Sequence, residues 1–103
     1  MRNQIVLYLL KIGVKPHYKG FNYLVSALAH TMDSITRIPM LELYDLVAEE
    51  YGITSKQVER CIRTLIGIFC EAISPPLAYK YTNAEFIYLC TMNIKMDCEA
   101  NER

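Results

Sequence analysis

The chain has 103 residues, enough for one domain and too few for a second folding unit of ordinary size. Hydrophobic residues make up 52%, which excludes a disordered chain, and 11 basic against 11 acidic residues give zero formal net charge. The longest apolar runs, Ile5 to Leu10 and Leu65 to Cys70, are far shorter than the roughly 20 residues of a membrane span. The N-terminus has no signal-peptide pattern. We therefore expect a cytoplasmic protein that does not contact membranes.

The four cysteines are Cys61, Cys70, Cys90 and Cys98, and no two of them have Cys-x-x-Cys spacing. The first three fall within predicted helices. We expect buried free thiols here in preference to disulfides or a metal site. No phosphate-binding glycine loop occurs in the sequence either, so no metal and no cofactor is predicted.

Hydrophobic periodicity predicts five helices and no β-strand, which places the chain in the all-α class. The first helix should run from Asn3 to Ile12 and end at Gly13. The second, from about Lys19 to Asp33, has an apolar stripe from Phe21 to Met32. A loop then leads to Pro39, a residue suited to the first turn of the third helix.

The third helix is predicted from Met40 to Tyr51 and should stop at Gly52. The run Thr54-Ser55-Lys56-Gln57 is a capping box, which begins a fourth helix extending to about Glu71, before Ser74-Pro75-Pro76. A second capping box begins a fifth helix, whose apolar part ends near Ile94. We expect the polar tail that follows to be frayed. That box is Thr82-Asn83-Ala84-Glu85.

Residues 40–71 have the spacing of a helix-turn-helix within a single domain of residues 1–103. Ala48 is small enough for the crossing of two helices, and Gly52 tolerates the left-handed backbone that a tight turn needs. Ile53 then fills the corner, while Val58 and Ile62 return to the core. The alternative is an ordinary helical hairpin.

The fourth helix should expose a basic stripe. Lys56, Arg60 and Arg63 recur at i, i+4 and i+7, and an arginine can bond guanine O6 and N7 together. Glu59 can accept from cytosine N4. With Gln57, these five residues are the candidate base contacts of a recognition helix in the DNA major groove. The alternative is a solvated face with a Glu59–Arg63 ion pair.

Phosphate contacts are predicted beside this helix. Lys19 opens the second helix and Lys80 precedes the fifth, and the free N–H groups at helix N-termini favour anions. Thr64, on the exposed face of the fourth helix, is a third candidate. The alternative is that each is an ordinary surface residue.

Three blocks of residues resemble one family in the same order along the chain. The sequence is similar to the C-terminal DNA-binding effector domain of the sporulation-initiation response regulator of endospore-forming bacteria. The blocks are Gly13-Val14 with Pro16-His17, Lys19-Gly20-Phe21 and Tyr23-Leu24; Leu43 through Ala48 to Val58-Glu59-Arg60, with Ile62 and Arg63; and Thr82-Asn83-Ala84-Glu85-Phe86-Ile87.

The resemblance implies that the helix from Ser55 enters the major groove and that the domain binds promoter DNA in tandem or as a dimer. It implies base reading by Glu59 and Arg60, with Arg63 on the same surface. His17, inside the first block, is either a structural residue or a further candidate phosphate contact.

The sequence departs from the family at several points. Gln57 stands where we associate an arginine with the family, and Thr64 stands for a histidine; the loss of two cations should weaken phosphate attraction. The connection from Glu71 to Tyr81 is shorter than the family's. We expect a module without a preceding receiver domain, so receiver phosphorylation is not expected to be its switch.

The sequence predicts a DNA-binding transcription regulator and not an enzyme. His17 and His30 have no recognisable nucleophile partner, and the adjacent Glu49 and Glu50 diverge by about 100° on a helix. The alternative is a protein-interaction module of the same fold, which binds or antagonises a full-length regulator. The zero net charge favours this alternative.

Overall fold

Five α-helices make up the part of the chain that the structure describes. The computed structural model covers the backbone of residues 1–73 and 80–101 and the side chains up to residue 99. No strand occurs within these ranges, so the all-α prediction is confirmed. The helices are α1 (Arg2–Ile12), α2 (Lys19–Asp33), α3 (Met40–Tyr51), α4 (Ser55–Ala72) and α5 (Asn83–Asn101).

The second helix lies at the centre of the fold and packs against each of the other four. Every residue from Leu24 to Ala29 is buried, so the burial is much wider than the single predicted stripe from Phe21 to Met32. The reason is side-chain size. Ser26, Ala27 and Ala29 leave room for neighbouring helices on faces that an amphipathic helix would turn to solvent.

Both predicted capping boxes are present. At the start of α4 the Thr54 N–H donates to Gln57 Oε1 at 3.0 Å, and the Gln57 N–H donates to Thr54 Oγ1 at 3.1 Å. At the start of α5 the Thr82 N–H donates to Glu85 Oε1 at 2.9 Å, and the Glu85 N–H donates to Thr82 Oγ1 at 3.2 Å. Each cap contributes about 1 kcal/mol by satisfying N–H groups that have no partner within the helix.

The end of α5 differs from the prediction. The polar segment from Asp97 was expected to fray, but α5 continues past Asp97 for about one turn and ends at Asn101. Contacts with α1 explain the difference. Asn93 Nδ2 donates to Tyr8 Oη at 2.9 Å, and Cys98 Sγ lies 3.3 Å from Gln4 Oε1. These long-range contacts order a segment whose own sequence is only weakly apolar.

The four cysteines are free thiols. Cys70 and Cys90 are buried, as expected for the helix interior. Cys61 and Cys98 are half-buried. The expectation of four buried thiols is therefore correct for two of them.

The fourth helix ends at Ala72, one residue beyond the predicted end, with Ile73 extended as its C-cap. The predicted break at Ser74–Pro76 lies outside the described residues. The described chain resumes at Lys80, three residues before α5.

Candidate nucleic-acid interface

A three-residue turn joins α3 to α4 in the arrangement of a helix-turn-helix. Gly52 has the left-handed backbone (φ 66°, ψ 37°), which a residue with a Cβ adopts only at a cost. The N–H groups of Gly52 and Ile53 both donate to the carbonyl of Ala48, which is buried where the helices cross. Ile53 packs on the core from this corner. The small-glycine-apolar spacing in the sequence is therefore explained by the turn.

The start of α4 is also tied to α3 by a side-chain contact. Ser55 Oγ, in the first turn of α4, donates to Asp45 Oδ1 on α3. Val58, Ile62 and Leu65 then bury one face of α4 in the core. The opposite face of α4 is held outward by these contacts.

The exposed face of α4 has the predicted composition. Lys56, Gln57, Arg60, Arg63 and Thr64 are exposed, and Glu59 is half-buried. Among the described residues, neither Lys56 nor Arg60 has a hydrogen bond or an ion pair, so both cations are free to receive an anion.

Three of the candidate base contacts, Gln57, Glu59 and Arg63, already have partners in α4 or at its N-cap. Glu59 Oε1 lies 3.6 Å from Arg63 Nε, which is the ion pair that the sequence offered as the alternative to base contacts. Gln57 Oε1 accepts from the backbone N–H of Thr54, so its carbonyl oxygen serves the helix cap. Surface pairs of this kind are weak, at about 0–1 kcal/mol, and they exchange readily for a stronger partner.

The N-terminal end of α2 lies against the middle of α4. Gly20 makes this possible, because a Cβ at residue 20 would lie 2.4 Å from the Cys61 carbonyl oxygen and 3.2 Å from Leu65 Cβ. Lys19 and His17, which flank this contact, are both exposed. Two candidate phosphate contacts therefore stand at one side of α4.

The N-terminal end of α5 lies against the other side of α4. Asn83 Nδ2 donates to the backbone carbonyl of Glu59 at 3.1 Å and to Tyr44 Oη at 3.0 Å. Burial raises the pKa of the Tyr44 phenol, and the Asn83 hydrogen bond partly offsets this increase in the pKa. Lys80 lies in the same region, but its Nζ pairs with Glu71 Oε1 at 3.1 Å.

An open groove of about 520 Å³ separates the exposed face of α4 from this end of α5. Its lining includes two basic side chains from different elements, Arg63 of α4 and Lys80 of the connection. The other polar residues in the lining are Tyr44, Glu59, Tyr81, Thr82 and Asn83.

Charge is segregated between the two helices of the helix-turn-helix. The first ten residues of α4, 55–64, hold three basic side chains and one acidic side chain. The third helix, residues 40–51, holds four acidic side chains and no lysine or arginine; they are Glu42, Asp45, Glu49 and Glu50. The zero net charge of the chain therefore conceals an uneven distribution, with an acidic α3 next to a basic first half of α4.

Other kinds of site have no support in the described part of the chain. No group of three or more His, Cys, Asp or Glu residues lies close enough there to hold a metal ion. None of the helices within residues 1–73 and 80–101 has both the length and the apolarity that a membrane crossing requires.

The sequence profile of the family described as "Sporulation initiation factor Spo0A C terminal" matches residues 5–94. That match covers α2, α3 and α4 completely, including the exposed face of α4, and most of α1 and α5. The chain belongs to this family. The Spo0A C-terminal family consists of DNA-binding effector domains of a sporulation regulator and is not a family of enzymes. The resemblance that the three sequence blocks indicated is confirmed.

Two residues of this Spo0A C-terminal domain were not singled out from the sequence for what they do. The sequence indicated Gly20 only as part of the first family block, and Asn83 only as part of a capping box and of the third family block. The signals were weak but present. A glycine in the first turn of a helix lowers helix stability and indicates a close approach. An asparagine directly after a capping threonine is not needed for the cap.

Proposed function

We propose that this chain is a sequence-specific reader of double-stranded DNA that regulates transcription, with α4 lying in the major groove. The observation that carries the proposal is the exposed face of α4, where Lys56 and Arg60 are unpaired among the described residues. Membership of a DNA-binding family supports it. A bacterial regulator of this kind would act on the chromosome in the cytoplasm.

Base contacts are assigned to the N-terminal half of α4. Arg60 donates to a guanine, and Glu59 accepts from a neighbouring cytosine once the weak Glu59–Arg63 pair opens. Lys56 and Arg63 extend the same stripe. Gln57 keeps its amide N–H groups for a base while its oxygen caps the helix.

Phosphate contacts are assigned to both sides of α4. His17 and Lys19 stand at the α2 end, where Gly20 holds the chain against α4. Lys80 stands at the α5 end, and Thr64 lies on α4 itself. Contacts on both sides of a recognition helix fix its orientation in the groove without reading sequence.

The test is a fluorescence-anisotropy titration of a duplex that the wild-type chain selects from a random library. A scrambled duplex serves as the reference. Arg60→Ala should reduce affinity for the selected duplex by about 1–3 kcal/mol and leave the scrambled duplex nearly unaffected. Both affinities should fall as salt rises from about 50 to 200 mM, because phosphate contacts release counterions.

Lys95→Ala is the matched control. Lys95 is also an exposed cation, but it lies twelve residues along α5 from Asn83, roughly 18 Å from the α4 contact. It should bind both duplexes as the wild type does. If Arg60→Ala binds the selected duplex with the same affinity as Lys95→Ala, α4 is not the helix that reads the bases.

A protein-interaction module that antagonises a full-length regulator is the second candidate. The observation in its favour is an apolar stripe on the solvent face of α5, where Leu89, Met92 and Met96 are exposed. Such a module would select no duplex and would bind the regulator without strong salt dependence. DNA binding as a homodimer or in tandem is a further possibility within the first candidate function. The stoichiometry of the same titration tests it, since two chains would then bind each duplex.

A further inference from the structure

One buried amide joins three helices next to the exposed face of α4. The side chain of Asn83, at the first residue of α5, is among the few buried polar side chains of the described chain, with 8% exposure. Its Nδ2 donates to Tyr44 Oη on α3 at 3.0 Å and to the Glu59 carbonyl in the middle of α4 at 3.1 Å.

The other buried polar side chains do not make such a bridge. Thr91 Oγ1 donates to the Ile87 carbonyl of its own helix at 2.8 Å. Ser26 Oγ donates to Glu50 Oε1 at 2.9 Å, which links α2 to α3 away from α4. Asn83 is therefore the buried polar side chain, within the described ranges, that reaches the backbone of α4.

Helix capping does not account for Asn83. The N-terminus of α5 is capped by Thr82 and Glu85, whose side chains and N–H groups satisfy each other. Asparagine is a poorer helix residue than alanine, so its presence in this turn has a local cost. The hydrogen bonds to α3 and α4 offset that cost, and they are long-range contacts.

The Glu59 carbonyl oxygen, which accepts from Asn83, lies in the part of α4 that carries the proposed reading residues. A carbonyl within a helix accepts the N–H four residues on and retains a second lone pair, which Asn83 uses. The bonded atom belongs to Glu59, whose side chain, with Arg60 next to it, points to the exposed face. A shift of α4 along its axis would break this hydrogen bond and displace both side chains together.

We propose that Asn83 is a positioning residue for DNA reading, which holds α4 in axial register with α5 so that Glu59 and Arg60 meet the base edges. This inference rests on the proposed function of α4. Asn83 itself touches no base. Reading contacts must be held to about 0.5 Å, and a buried hydrogen bond from a separate helix supplies that constraint.

The experiment measures the ratio of the Kd values for a scrambled duplex and for the duplex that the wild-type chain selects. Asn83→Ala should lower this ratio by about tenfold, the size of one lost reading contact. Affinity for the scrambled duplex should stay unchanged, because phosphate attraction does not require a fixed register. A merely structural loss would weaken binding to both duplexes equally and leave the ratio unmoved.

Tyr44→Phe is the conservative control. It removes the α3 acceptor and keeps the hydrogen bond to the Glu59 carbonyl, so the ratio should stay within about twofold of wild type. In a chain that already carries Glu59→Ala and Arg60→Ala, Asn83→Ala should have a much smaller effect on the ratio, because the two contacts next to its hydrogen bond are gone.

Circular dichroism establishes that each variant is folded. Should Asn83→Ala be unfolded, Asn83→Ser replaces it, since serine suits a helix N-terminus and is too short to reach α4. An unchanged ratio in a folded Asn83 variant, with the wild type still selective, overturns the positioning role alone. A wild-type chain that selects no duplex overturns the proposed function, and this inference falls with it.

Discussion

A Cβ atom on Gly20 would lie 2.4 Å from the carbonyl oxygen of Cys61, so α2 and α4 meet there backbone to backbone. No side chain but hydrogen fits at this point without moving one of the helices. The contact places the α2 N-terminus, with Lys19, beside the exposed face of α4.

Gly20→Ala should destabilise the fold by about 1–3 kcal/mol, because the added methyl group overpacks a backbone contact. Chemical denaturation measures the change. Gly67→Ala is the matched control, since a Cβ on that residue of α4 has no neighbour within 4 Å. It should stabilise the protein by roughly 0.5–1 kcal/mol through helix propensity alone. Equal effects at both glycines would contradict the close contact.

Glu71→Gln should increase DNA affinity by roughly threefold at low salt, because it releases Lys80 from its ion pair for a phosphate. Anisotropy with the scrambled duplex measures this. Asp97→Asn removes the same charge at the far end of α5 and should change the affinity less. If Lys80→Ala leaves the gain from Glu71→Gln intact, Lys80 is not a phosphate contact.

Stability should decrease in acid through Glu50. The hydrogen bonds from Arg2 lower the pKa of the Glu50 carboxyl, with Ser26 adding to the effect, while desolvation opposes it. A lowered folded-state pKa means that this stabilisation is complete above the ordinary pKa of 4.5 and is lost as pH falls through the folded value. His30 Nε2 lies 3.5 Å from the same carboxylate.

Glu50→Gln should therefore flatten the decline of Tm below about pH 4.5, with a lower Tm than wild type at neutral pH. Glu49→Gln, on the adjacent exposed residue, should keep the wild-type profile. If the Tm of Glu50→Gln declines below about pH 4.5 as steeply as that of the wild type, other carboxylates cause the decline.

The thiols should differ in reactivity. Burial raises the pKa of the Cys90 thiol to about 12, so at pH 8 roughly one molecule in ten thousand carries the thiolate. Iodoacetamide labelling followed by mass spectrometry should modify Cys61 and Cys98 in the folded protein, and Cys70 and Cys90 only after denaturation. Labelling of Cys90 at the rate of Cys98 in the native protein would contradict its burial.

Local features of the structure were predictable because their interactions span few residues. The Thr54 and Thr82 capping boxes each join atoms three residues apart, and Gly52 adopts a conformation that depends on its own missing Cβ. The amphipathic face of α4 follows from helical spacing alone. These features predicted the five helices, the turn and the set of exposed basic residues.

Contacts between distant residues had no such signature. Asn93 and Cys98 order the end of α5 through α1, although the polar tail predicted fraying. The sequence also did not predict the central position of α2. Small residues such as Ser26, Ala27 and Ala29 add little to a hydrophobic pattern, and their role in close packing is visible only when the four neighbouring helices are in place.

The sequence by itself determined the all-α class, the helix-turn-helix and which side chains of α4 face outward, since these depend on periodicity and caps within a few residues. Only the tertiary structure decided what stands on either side of α4. Gly20 against Cys61 and Asn83 against the Glu59 carbonyl join residues 41 and 24 positions apart in the chain. Such pairings depend on how five helices pack into one core, and no local pattern encodes them.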